Sequence, residues 1–207
     1  MNQKKVIVFD MDGTLVDSKK LYIDTIHHSL LEHYFIYPKS HISQALGPKL
    51  EITLKKIARF SPKILKKLKD KINSSVAKKA ASLRLAPYAI ETLKKLKRKG
   101  CKIILLTNSS GRFVSTIFRH HKLSGYFNKI FYAENFSTKE NAIRAIAREY
   151  KIKAKEVIYV ADKVSDVKIA KNAGCRIFIV LAKSWDKDKL KKKIYSIASL
   201  KQLIKRI

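Results

Sequence analysis

Acidic residues are scarce in this chain. Sixteen Asp and Glu stand against 46 Lys and Arg, leaving a net charge of +30 over 207 residues. So basic a surface points to anionic partners such as phosphates, nucleic acid or acidic headgroups. Cysteine is scarcer still, with two residues, Cys101 and Cys175. Each opens an apolar run, which speaks against a disulfide framework or a paired metal knuckle and for reduced core thiols in the cytoplasm. Long apolar runs are missing as well. The longest, Ile177 to Ala182, falls far short of the roughly 20 residues of a membrane span. After Lys4-Lys5 the chain goes straight into a strand pattern, with no cationic leader and cleavage site, so no secretory signal is expected. There is no internal repeat. What is present is an apolar content of 46%, enough for a packed core in one domain or in one core with an insertion.

The distribution of the basic residues narrows what they imply. Their density is nearly the same in residues 18–86 and in the rest, whereas a dedicated nucleic-acid face concentrates charge on one element. Lysines fall between apolar residues at helical spacing, as in Leu93-Lys94-Lys95-Leu96-Lys97. They read as solvated helix faces, and neither nucleic acid nor a membrane is expected as a partner. Against this background Asp10, Asp12, Asp17, Asp162 and Asp166, five of the 16 acids, sit in motifs that carry chemistry.

The first motif is Val6-Ile7-Val8-Phe9-Asp10-Met11-Asp12-Gly13-Thr14-Leu15. An apolar run ends in two carboxylates one residue apart and then a Gly-Thr turn. A buried strand delivers such a pair to a sheet edge, where carboxylates bind a hard cation, attack as nucleophiles or move protons. The pattern D-x-D-G-T should arise by chance in about one chain in several hundred of this length.

Short apolar, β-branched runs then alternate with helix patterns. Strands are expected at Val6–Asp10, Lys102–Thr107, Lys129–Tyr132, Val157–Ala161 and Arg176–Leu181. Helices are expected at Tyr88–Lys99, Gly111–His120, Thr138–Tyr150 and Val164–Ala173. Gly100 and Gly174 stand where helix C-terminal caps belong. The alternation predicts an α/β fold, a doubly wound parallel sheet of Rossmann-like type, whose site lies at the carboxyl ends of the strands. Ile194–Ile197 reads as an edge strand and Leu200–Ile207 as a last helix. Residues 18–86 interrupt this order and read as helical, with Tyr22, Ile26, Leu30, His33 and Tyr34 on one stripe and breaks at Pro38, Gly47-Pro48 and Ser61-Pro62. The expected domains are therefore a core of residues 1–17 and 87–207 and an inserted helical bundle, 18–86, above the catalytic edge.

Four features fall after four predicted strands: Asp10 with Asp12, Thr107-Asn108, Lys139, and Asp162 with Asp166. Each is common alone, but their order and positions together form a strong signal. This arrangement resembles the haloacid dehalogenase superfamily in its phosphatase branch, of the phosphoglycolate-phosphatase-like kind. KKVIVFDMDGTLVDS (4–18), CKIILLTNSS (101–110) and EVIYVADKVSDVKIAKNAG (156–174) carry the resemblance, and 18–86 looks like the family's small helical cap.

The resemblance implies a Mg²⁺-dependent phosphomonoesterase in which Asp10 attacks phosphorus and Asp12 exchanges protons with the leaving alcohol and the hydrolytic water. Asp10, the Asp12 carbonyl and Asp162 would hold Mg²⁺, with Asp166 acting through water or orienting Lys139. Thr107 and the backbone near Asn108 would bind phosphate oxygens, and Lys139 would neutralise the transferring group. A small phosphorylated substrate resembling phosphoglycolate is expected, in a monomer or homodimer. A sugar-phosphate mutase and a non-catalytic, basic nucleic-acid-binding relative are the alternatives. The chain departs from the family's pattern at Ala161, where Gly is usual, at Lys163, where a small polar residue is usual, and at Glu140, where many relatives have Pro.

Lesser candidates are Arg112, which reads equally as a contact to a substrate carboxylate or phosphate and as a solvated helix-start residue, and Lys49, because the Gly47-Pro48-Lys49 loop resembles the cap loop that faces the catalytic site in the family. Ser18 reads as a helix N-cap, His120-His121 as surface residues, and His27, His28, His33 and His41 as a crowd without a zinc ligand frame.

Overall fold

The computed structural model describes residues 5–181, 184, 186–190 and 195–207. Strands are β1 (Val6–Phe9), β2 (Lys102–Leu106), β3 (Lys129–Phe131), β4 (Val157–Ala161), β5 (Arg176–Val180) and β6 (Ser196–Ile197). Helices are α1 (Lys19–Leu31), α2 (Lys39–Ala45), α3 (Leu50–Ile57), α4 (Pro62–Lys79), α5 (Ala89–Arg98), α6 (Gly111–His120), α7 (Lys139–Glu149), α8 (Val164–Ala173), α9 (Lys187–Leu190) and α10 (Leu200–Arg206). The expected strands and helices form, several of them one residue shorter at an end. Of the expected edge strand, Ser196–Ile197 pairs, while residue 194 lies outside the described residues.

By their contacts these elements group into two compact units. One comprises Met1–Asp17, Arg84–Thr107 and Leu123–Ile207; the other comprises Ser18–Leu83 with Asn108–Lys122. Helix α6, which follows the second strand motif, thus groups with the helical segment and not with the sheet.

The first unit is a parallel α/β sheet in the order β3-β2-β1-β4-β5-β6. Central β1 pairs with β2 (Val6 beside Lys102) and with β4 (Val6 beside Val157). Its four residues are all buried, because a parallel sheet is covered on both faces and needs apolar side chains in both directions. On one face Val6, Val8, Ile104, Leu106, Val157 and Ile179 pack with Ala142, Ile143 and Ile146 of α7 and Ala170 of α8. The intervening Ile7, Phe9, Ile103, Leu105 and Val160 are equally inaccessible. Helix α8 ends at Gly174, whose φ of 75° lies in the left-handed region that a side chain resists, and Cys175 N–H then reaches back to the Ala170 carbonyl. Cys101 and Cys175 are both free thiols.

The second unit is helical. Helices α1, α4 and α6 form its main packing, and α2 and α3 pack onto α1 and α4 respectively. The Tyr22 ring tilts against Phe113, 5.4 Å between centroids, while its hydroxyl lies 2.9 Å from Ser109 Oγ. Ser61 caps α4 by accepting from Ile64 N–H, with Pro62 in the first turn, where its missing donor costs nothing.

Three expectations are corrected here. Ser18 occupies the N-cap position of α1, but its side chain makes no capping bond. The apolar stripe of α1 stops at Leu30, because the chain leaves the helix through Tyr34 at φ 62° and Phe35 N–H closes on the Leu30 carbonyl. Tyr34 is consequently 94% exposed. His121 is half-buried, with its Nε2 2.9 Å from the Leu83 carbonyl oxygen, so it joins two segments of this unit instead of lying free on the surface. No described helix is long and apolar enough to cross a membrane.

Candidate active site

Parallel strands end their backbone pairing at one edge of the sheet, and the residue after each strand projects from that edge. Asp10 follows β1, Thr107 follows β2 and Asp162 follows β4. The Asp10 N–H still bonds to the Val160 carbonyl (2.8 Å), and Thr107 N–H bonds to the Phe131 carbonyl (2.9 Å), so both residues are set by the rigid sheet. After Asp10 the chain turns sharply: Leu15 and Val16 N–H both bond to the Met11 carbonyl, and Gly13, at φ 81°, donates to the Val16 carbonyl. This turn holds Asp12 where its Oδ2 accepts the Thr107 hydroxyl at 3.2 Å.

Lys139 opens α7 and is buried, although lysine is almost never so unless paired. Its Nζ stands 3.0 Å from Asp10 Oδ1 and 3.5 Å from Asp166 Oδ1. It also donates to the Tyr159 hydroxyl at 2.8 Å, and that hydroxyl donates in turn to Asp166 Oδ1 at 2.9 Å. Asp166, in the first turn of α8, accepts the Lys163 N–H at 3.1 Å through its other oxygen, which closes the N-terminus of that helix. Burial, opposed by the Lys139 ammonium and reinforced by Asp166 and Asp12, pushes the Asp10 carboxyl up to about 6. For Lys139 burial works against the charge, yet Asp10 and Asp166 outweigh it and hold the ammonium well above the ordinary lysine range. Burial dominates at Lys163 and lowers it, against the pull of Asp162, Asp166 and Asp10.

Carboxylate oxygens of Asp10, Asp162 and Asp166, all buried, lie within 4.8 Å of one another. Three hard oxygen donors converging at a strand edge suit a divalent cation of the Mg²⁺ class. The residues present therefore fit such an ion.

The two units divide the expected site residues. Asp10, Asp12, Thr107, Lys139, Asp162 and Asp166 belong to the sheet unit, while Asn108, Arg112 and Lys49 belong to the helical one. In the latter, Asn108 Nδ2 donates to the Gly47 carbonyl at 3.0 Å and so holds the loop that carries Lys49, the residue at the start of α3. Arg112 is exposed in the first turn of α6. His33 and His41 contact the Ser29 and Ile57 carbonyls, and the only carboxylate and histidine cluster among the described residues with metal-ligand spacing is the Asp10, Asp162, Asp166 group.

Tyr159 was not legible as a site residue, since a tyrosine in Val157-Ile158-Tyr159-Val160 reads as one more apolar strand position. Its burial and its neighbours push the hydroxyl far above the usual tyrosine range, so it serves as a fixed donor and acceptor between Lys139 and Asp166. Tyr159→Phe removes one acceptor and one donor from a dry site. We expect it to lower stability by about 1–3 kcal/mol, read as a fall in the urea midpoint at unchanged slope. An unchanged midpoint would show that the hydroxyl's partners find substitutes.

The haloacid dehalogenase-like hydrolase family model matches residues 7–180. A phosphoglycolate phosphatase of Vibrio parahaemolyticus is 27% identical over 187 residues, covering 84% of this chain and 82% of the relative. A pyrophosphatase of Bacillus cereus is 25% identical over 183 residues, covering 86% and 82%. Among solved structures, a predicted phosphoglycolate phosphatase from Haemophilus somnus superposes with a TM-score of 0.85 at 18% identity, over 100% of this chain and 99% of its own, which shows a common fold. With two Asp after β1, a hydroxyl after β2, a lysine opening α7 and two Asp around the start of α8, the chain is similar to phosphoglycolate phosphatases over most of its length and belongs to the haloacid dehalogenase-like hydrolases.

Proposed function

We propose that the protein hydrolyses a small phosphate monoester through a phosphorylated Asp10, with phosphoglycolate as the leading candidate substrate. The observation that carries this reading is the contact of buried Lys139 with Asp10, beside the convergence of Asp10 with Asp162 and Asp166. A carboxylate held against an ammonium and two further acids has no packing role that an apolar side chain would not fill better. The phosphoglycolate phosphatases among the relatives support the substrate class.

In this mechanism an Asp10 oxygen attacks phosphorus as the ester P–O bond breaks, and Asp12 gives its proton to the departing alkoxide. Asp12, now a carboxylate, takes a proton from water as that water attacks the aspartyl phosphate, which releases inorganic phosphate and restores both acids. The Thr107 hydroxyl donates to Asp12 in the resting site, and with substrate bound it would turn towards a phosphate oxygen. Lys139 reduces the repulsion between the Asp10 carboxylate and an anionic substrate, and Tyr159 and Asp166 keep its ammonium in position. Asp10, Asp162 and the Asp12 carbonyl would hold Mg²⁺, with Asp166 beside them, and the ion when bound supplies charge stabilisation to the phosphoryl oxygens. The backbone near Asn108 would bind phosphate oxygens, and Lys49 and Arg112 are the candidates for the rest of the substrate.

The test is release of inorganic phosphate from a panel of small phosphate esters with and without Mg²⁺. Multiple turnovers that require Mg²⁺ are expected. Transfer of phosphate to a second hydroxyl of the substrate, without free phosphate, would replace hydrolysis by a mutase reaction. Absence of both would overturn the reading.

A further inference from the structure

Lys163 is the residue next to Asp162 and the N-cap of α8, and it is only 9% exposed. Nothing in the catalytic assignment uses it. Its backbone is fixed, because its N–H bonds to Asp166 Oδ2 at 3.1 Å and its carbonyl accepts the Asp166 N–H at 3.2 Å. The side chain is therefore enclosed at a point flanked in sequence by Asp162 and tied to Asp166, two of the three acids whose oxygens converge. Its charge interacts with Asp162, Asp166 and Asp10, the same three. A buried lysine is tolerated where carboxylates compensate it. Those carboxylates are the proposed cation donors, so Lys163 and a divalent ion draw on the same negative charge.

We propose that Lys163 acts as a built-in counter-charge that competes electrostatically with the divalent cation, lowering metal affinity while keeping the metal-free acid cluster folded. This rests on the metal-dependent reading of the site above. In the intermediate dielectric of a partly buried site, removal of one neighbouring positive charge should strengthen cation binding by about tenfold or more. The same removal leaves buried acids less compensated when no ion is present. The two effects have opposite signs, which a packing role for the lysine stem would not produce.

The experiment is Mg²⁺ titration by calorimetry, together with thermal unfolding in chelator and in saturating Mg²⁺, on wild type, Lys163→Met, Lys163→Arg and Asp162→Asn. Lys163→Met should bind Mg²⁺ about tenfold more tightly, unfold at a lower temperature in chelator and show a larger Mg²⁺-induced rise in Tm. Lys163→Arg, which keeps the charge, should keep the wild-type affinity within about threefold. If Lys163→Met does not fold without metal, Lys163→Gln takes its place in the titration. Unchanged or weaker Mg²⁺ binding in the neutral variants overturns the proposal, as does equal tightening in Lys163→Arg. Asp162→Asn separates the two levels: loss of Mg²⁺ binding there with no tightening at Lys163 sinks this inference alone, whereas undiminished binding in Asp162→Asn sinks the metal-site reading beneath it.

Discussion

Asp10→Asn is expected to lower phosphate release by about four orders of magnitude or more, the size of loss seen when a residue acting as the nucleophile of a concerted unit is removed. Asparagine keeps the shape of the side chain, and the strand that presents it is held by buried neighbours on both sides. The variant should therefore fold. The wild-type carboxyl, although pushed up to about 6 by burial, is mainly ionised at pH 7 and above, the form that attacks phosphorus. Turnover of p-nitrophenyl phosphate at pH 7.5, with circular dichroism as the check on folding, measures the effect. Asp12→Asn serves as the companion. With this leaving group little protonation is needed in the first step, so the variant should form the aspartyl phosphate and fail to hydrolyse it. Labelled phosphate that stays on Asp12→Asn and never appears on Asp10→Asn would mark the two roles as separate. Equal turnover in wild type and Asp10→Asn would exclude the covalent mechanism.

Lys139→Met is expected to be the most damaging single change to stability. It leaves Asp10 and Asp166 buried without the ammonium that stands between them and leaves the Tyr159 hydroxyl without its donor. Breaking one partner out of a buried ionic group costs about 3–5 kcal/mol. At roughly 2–4 °C per kcal/mol for a chain of this size, Tm in the absence of metal should fall by about 6–20 °C. The double variant Asp10→Asn with Lys139→Met should recover part of that loss, because it also removes one of the stranded charges. Thermal unfolding of the two singles and the double gives the coupling directly. A Tm for Lys139→Met within about 2 °C of wild type would show that the ion pair is replaced by water. Phosphate release should be lost in both variants.

Much of this site was legible because the chemistry that makes it also marks the chain. Asp10 and Asp162 each stand at the end of an apolar, β-branched run, and a polar residue closing a fully buried strand is conspicuous in any reading of periodicity. Thr107 follows Ile103-Ile104-Leu105-Leu106 for the same reason. Lys139 was legible only through its order among the other motifs, because a lysine is nearly without information in a chain with so many. Tyr159 and the Asn108 bond to the Gly47 carbonyl were not legible. The first depends on which face of β4 points towards α7, and the second joins residues 61 positions apart through a fold that no local pattern encodes. The grouping of α6 with α1 and α4 was missed because its amphipathic pattern specifies a buried face but not the partner that buries it. Tyr34 was misread because helical spacing continues past the point where a left-handed residue ends α1.

The strand order has a consequence for the route by which the molecule forms. Strand β1 is made first, yet Val6 pairs with Lys102 and Val157, which are made much later. Until β2 has been synthesised, four apolar residues of β1 have no strand to cover their edges, and until β4 follows, the carboxylate cluster lacks Asp162 and Asp166. Native pairing of the central strand thus waits on distant segments, a topology that slows folding and lengthens the exposure of sticky backbone. The helical unit needs no such delay for most of its packing, because Ser18–Leu83 is contiguous. During synthesis, helices α1 to α4 can therefore collapse while β1 is still waiting, so catalytic competence arrives only with the last quarter of the chain.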